Sequence, residues 1–143
     1  MPSTIPTLAP YLLVASALVI FALGALHLLF TFAGSKLQPR DQILMARMQE
    51  VSPKITRETS MWKAWVGFNA SHSFGALLFG AVYAYLALAH SPMLFASPYL
   101  LSLGLVLLCG YVFLGQRYWF SVPYRGILLA TALYVAALIA HWA

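Results

Sequence analysis

Four long apolar runs separated by polar connections constrain this chain more than any other feature. They cover residues 10–32, 66–89, 98–116 and 123–142. Crossing the hydrocarbon of a bilayer takes about 20 predominantly apolar residues at about 1.5 Å each, and each run is close to or above that length. The composition agrees: 62% of the 143 residues are hydrophobic and 8% are charged, against about 25% charged in a soluble domain. A soluble fold of this size could not hide so much apolar surface, and disorder needs low hydrophobicity and high charge. The expected fold class is therefore all-α. It is an integral membrane four-helix bundle, a single domain over residues 1–143.

The connections set the expected topology. Six of the eight Lys and Arg lie between Lys36 and Lys63, and the other two are Arg117 and Arg125. The second connection, residues 90–97, carries no charge. The positive-inside rule then places loops one (residues 33–61) and three on the cytoplasmic side, with both termini outside, in the cytoplasmic (inner) membrane. No Lys or Arg precedes the first run, which is too long for a signal peptide's apolar core and reads as a retained span. Trp62, Lys63 and Trp65 suit the headgroup level, so the second span opens near residues 66–67. The basic excess follows topology and shows no reading motif, so no nucleic-acid partner is expected.

Loop one predicts an amphipathic helical segment. Pro39 and Asp41 suit a helix start, Leu44, Met48, Val51 and Ile55 recur at helical spacing, and Pro53 should end the helix near Ser52. Two readings stay open: a helix lying on anionic lipid, or a short helix capping the bundle.

Small residues let helices approach in lipid. Gly67, Ser71 and Gly75 recur every four residues, as do Ala76, Gly80 and Ala84, and Ala132, Ala136 and Ala140. These stripes predict homo-oligomers unless the bundle consumes them. Polar residues share the faces: Asn69, His72, Tyr83 and His90 on the second run, Ser16, His27 and Thr31 on the first, Tyr134 and His141 on the fourth. At 1.5 Å per residue His27 and His72 both lie about 7–8 Å inside the hydrocarbon and can face each other.

Polar groups in spans serve as interhelical hydrogen bonds, and intramembrane ionisable groups also mark sites. The candidate ligand-binding set is His27, Thr31, Asn69, Ser71, His72, Ser73, Tyr83 and Tyr134. Arg117 and Arg125 suit an anionic headgroup. A b-type haem would need facing axial histidines, His27 with His72 or His90 with His141. A zinc or copper site from His27, His72 and Asn69 is short of ligands, so no metal is expected. Cys109 is the only cysteine and reads as a packing residue.

Residues 59–75 read TSMWKAWVGFNASHSFG. The segment Trp62, Trp65, Gly67, Phe68, Asn69, Ser71, His72 and Ser73 resembles that of an uncharacterised family of small bacterial four-span membrane proteins. That resemblance implies the fold and brings no activity with it. The architecture is also similar to that of the membrane-associated eicosanoid and glutathione metabolism superfamily, whose second span carries Arg-Ala-x-x-Asn-x-x-Glu. This chain matches the Asn at Asn69 and has Trp65, Val66 and His72 at the other three positions.

The leading expectation is a binding or accessory protein holding a lipophilic or small molecule in an intramembrane polar pocket, with membrane lipids as further partners. The alternatives are a glutathione-linked enzyme of lipophilic substrates, as the second resemblance implies, and a b-haem electron carrier.

Overall fold

A computed structural model describes residues 8–142. The protein is all-helical among those residues, with α1 (Leu8–Phe32), α2 (Gln42–Glu50), α3 (Met61–Ala89), α4 (Ser91–Phe95), α5 (Pro98–Tyr118) and α6 (Ser121–Trp142). Helices α1, α3, α5 and α6 are long and apolar enough to cross a membrane. Their exposed Leu18, Leu26, Phe74, Leu78, Val106 and Leu129 face outward, where lipid tails are the natural neighbours of such side chains. This is the membrane helical bundle that the four apolar runs predict.

Local chemistry explains the helix ends. The Ser60 hydroxyl accepts from the Lys63 amide at 3.3 Å, so α3 opens at Met61, five residues before the expected span. With 29 residues, α3 is about 43 Å long, well beyond a hydrocarbon core of about 30 Å. Its extra turns carry Trp62 and Trp65. Helix α5 starts at Pro98 behind Ser97, whose hydroxyl accepts from the Leu100 amide at 3.3 Å. The connection expected between residues 116 and 123 shrinks to Trp119 and Phe120, because α6 already begins at Ser121 and takes Pro123 into its first turn, where a missing N–H costs nothing. Helix α4 was not expected. Pro92 sits in its first turn, and the Ser91 hydroxyl bonds back to the Ala87 carbonyl.

In loop one the Asp41 carboxylate caps α2, accepting from the Ile43 amide at 2.8 Å and the Leu44 amide at 3.4 Å. The helix ends at Glu50, two residues short of the expected end. Val51 is extended, and Ser52 precedes Pro53, a place where the helical conformation is disfavoured. The expected stripe therefore breaks up: Leu44 and Met48 lie on α2, while Val51 and Ile55 lie beyond it.

The chain divides into two compact units, described separately: residues 24–75, and residues 8–23 with 76–142. The second unit holds the apolar core. Leu13, Ile20, Phe79, Tyr83, Leu94, Leu108, Ile127 and Tyr134 are buried there. Three side chains tie helix to helix through backbone carbonyls: Ser16 to Ala130 at 2.7 Å, Tyr83 to Leu100 at 2.7 Å, and Tyr134 to Leu101 at 3.0 Å. Gly80 lets α3 approach α1 at backbone range. A Cβ there would lie 2.6 Å from the Phe21 Cβ and 2.7 Å from the Ala17 carbonyl oxygen. Ala76 and Gly80 are thus consumed in packing, as that stripe predicts. The other stripe differs: Gly67, Ser71 and Gly75 are exposed, and a Cβ on Gly67 meets nothing within 4 Å.

These contacts predict opposite outcomes at two glycines of one helix. Gly80→Ala should destabilise the protein by about 1–3 kcal/mol, since the obstructing atoms are backbone or Cβ and cannot swing away. Gly67→Ala should be neutral or stabilising by up to about 1 kcal/mol, from helix propensity alone. Equilibrium unfolding of both variants in mixed detergent micelles measures the difference.

Candidate functional site

Unit 24–75 brings the end of α1 against the start of α3 and holds six of the eight candidate ligand-binding residues. His27 lies five residues before the end of α1, and Asn69 and His72 lie one turn apart on α3. Their spacing on a 3.6-residue helix puts both on the side facing α1. The His27 Nε2 and the Asn69 Oδ1 are 2.9 Å apart. The His27 and His72 rings meet edge to face, with centroids 5.4 Å apart and an interplanar angle of 87°.

The hydrogen-bond network fixes which atom of the His27 ring donates. The Asn69 side-chain amide donates to the Trp65 carbonyl at 2.8 Å. That turns Oδ1, an acceptor only, toward His27. The His27 Nε2 must therefore donate, and in the neutral form of the ring the lone pair then lies on Nδ1. Thr31 donates its hydroxyl to the His27 carbonyl at 2.8 Å, and Ser73 donates to the Asn69 carbonyl at 3.0 Å. Both hydroxyls are thus satisfied by their own helices, Ser73 in a buried position.

The other candidates do not join this cluster. Ser71 is exposed and donates to the Phe68 carbonyl at 2.9 Å. Tyr83 and Tyr134 belong to the other unit, where their rings meet edge to face at 6.1 Å and each hydroxyl is spent on a carbonyl of α5. Arg117 and Arg125 are exposed at the end of α5 and the start of α6. His90 lies 3.2 Å from the Tyr85 hydroxyl, and His141 packs its ring on Phe95 at 4.7 Å.

Sequence reasoning missed the second role of Trp65. Besides lending its carbonyl to Asn69, it donates its indole N–H to the Leu37 carbonyl at 3.1 Å and so ties loop one to α3. The spacing Trp65-x-x-x-Asn69, one helical turn, was the available signal. Beside this tie a groove of about 230 Å³ opens, lined by Phe30, Thr31, Gly34, Leu37, Trp62 and Val66. Gly34 shapes its rim: its φ of +83° turns the chain sharply just after α1. A larger groove, about 510 Å³, lies between α5 and α6 in the other unit. Its walls are apolar, and Thr131 there is already bonded to the Ile127 carbonyl at 2.8 Å.

The donor set does not fit a b-type haem. An axial pair must hold iron between two imidazole nitrogens, whereas the His27 and His72 rings are in direct contact and the His27 Nε2 is engaged by Asn69. His90 and His141 each pack against different aromatic partners. Among the described residues no three His, Cys, Asp or Glu side chains gather where a metal ion could sit.

Compared with family models, with curated proteins and with solved structures, the chain matches none.

The His27–Asn69 bond should be measurable as a coupling. A double-mutant cycle with His27→Phe and Asn69→Leu, followed by unfolding in mixed micelles, should return about 0.6 kcal/mol and at most about 1.7 kcal/mol. A coupling indistinguishable from zero would mean that the bond adds nothing to the stability of the folded protein.

Proposed function

We propose that this chain is a membrane-embedded binding or accessory protein whose site lies at the end of α1 and the start of α3. The ligand is a lipophilic or small molecule with a polar end. Its apolar body lies in the groove beside Phe30, Trp62 and Val66, and its polar end reaches inward past Thr31 toward the histidines. The observation that carries this reading is the pair of imidazoles in ring contact. Ionisable groups placed within spans are costly and mark functional sites by default. The His27 Nδ1 supplies an acceptor for a ligand hydroxyl or amide. The Trp62–Ser73 segment, which carries the family resemblance, contributes Asn69 and His72 to this arrangement.

We place the site near the cytoplasmic face of the inner membrane. The six cations between Lys36 and Lys63 support that orientation.

Native mass spectrometry of gently purified protein, released from detergent, tests the proposal. The expected result is an adduct of defined mass at a fixed stoichiometry, lost in His27→Ala and in His72→Ala and retained in Tyr134→Phe, whose ring lies in the other unit. A bare chain carrying only scattered lipid, or an adduct indifferent to both histidine variants, would overturn it.

A further inference from the structure

We infer that residues 36–63 form a surface that binds the anionic headgroups of the bilayer in which the chain sits, with α2 lying at the membrane–water interface. Three observations carry this.

The first is tethering. The two ends of the segment that contains α2 are both held to the opening turns of α3. The Leu37 carbonyl accepts from the Trp65 indole at 3.1 Å, and the Val51 carbonyl accepts from the Met61 amide at 2.8 Å. Helix α3 is one of the four apolar helices, and its first turns carry Trp62 and Trp65, residues that favour the headgroup level. Helix α2 is therefore kept at the depth where the membrane ends.

The second is exposed apolar surface. No residue of α2 is buried. Ile43 is 76% exposed and Ile55 is 92% exposed. Side chains of this kind, tethered beside the interface, gain by entering it. The third is charge. Six cations face three acids in this segment. Arg47 spends its charge on Glu50 at 3.3 Å, and Lys36 sits over the Phe30 ring at 3.8 Å. Arg40, Lys54, Arg57 and Lys63 are exposed. Basic groups on an interfacial segment attract anionic lipid, and long cationic side chains reach the phosphates while neighbouring apolar groups insert. A protein partner for the same face would need complementary acids, and a bilayer with anionic lipid supplies the negative charge without them.

Site-directed spin labelling of the full chain tests this. In a Cys109→Ser background, single labels replace Ile43 or Ile55, and the protein is reconstituted in vesicles of phosphatidylcholine alone or with phosphatidylglycerol. Collision with a water-soluble nickel chelate and with oxygen then reports depth. With phosphatidylglycerol present, both labels should be shielded from nickel and open to oxygen. Raising the salt concentration should reverse the shift. So should Arg40→Gln, Lys54→Gln and Arg57→Gln, each weakening the partition by about fivefold. The salt titration needs no charge variant, so a variant that misfolds leaves the test intact. Labels that stay open to nickel in both lipids would overturn the inference. Shielding that ignores lipid charge and salt would overturn it too, and would point to protein contact instead.

Discussion

A polar side chain inside hydrocarbon has no water to bond, so its hydrogen bonds must be found within the protein. That constraint organises what is seen along these helices. Ser16, Tyr83 and Tyr134 each reach a backbone carbonyl on another helix. Thr31, Ser73 and Thr131 each turn back to a carbonyl on their own helix. The difference matters. Back-bonded hydroxyls settle a local cost, whereas cross-helix bonds also select which helix faces lie together. Since apolar side chains gain little from leaving lipid for a neighbouring helix, a few such bonds and the close approach at Gly80 carry much of the specificity.

The end of α1 and the start of α3 resolve the same constraint differently. Asn69 engages both ends of its amide, donating to Trp65 and accepting from His27. This chain of contacts makes the His27 Nε2 a donor, so that in the neutral ring the second nitrogen is the acceptor. His72 stands edge-on to that ring. The two imidazoles in ring contact beside this hydrogen-bonded chain are what mark the joint as a candidate site. The groove at Thr31, Trp62 and Val66 opens from the same helix ends, and the Trp65 indole holds loop one beside it.

Much of this was legible in the sequence, for physical reasons. The four apolar runs set the spans because length and hydropathy alone decide whether a segment can cross a bilayer. The meeting of His27 with Asn69 and His72 followed from helical spacing and matched depth. Helix ends were less legible, because they depend on single caps: Ser60 moves the start of α3 to Met61, and Pro53 stops α2 at Glu50. The exposed Gly67 stripe and the buried Ala76–Gly80 stripe share one spacing rule, and only the neighbouring helix decides which of them packs. Tyr83 and Tyr134 carry the same polar signature as His27, yet both hydroxyls are used up on carbonyls of α5. Periodicity places a polar group on a face but does not say what that group bonds.

The central claim is that Asn69 fixes the tautomer of His27 and so presents a defined acceptor inside the membrane. Solid-state nitrogen NMR of histidine-labelled protein in lipid bilayers addresses it directly, with the resonance assigned by its loss in His27→Phe. The account predicts a protonated Nε2 and an unprotonated Nδ1 at His27, and a mixture of tautomers once Asn69→Leu removes the partner. A His27 ring protonated at Nδ1 and not at Nε2 in the unaltered protein would contradict it, because the Asn69 oxygen would then face a lone pair.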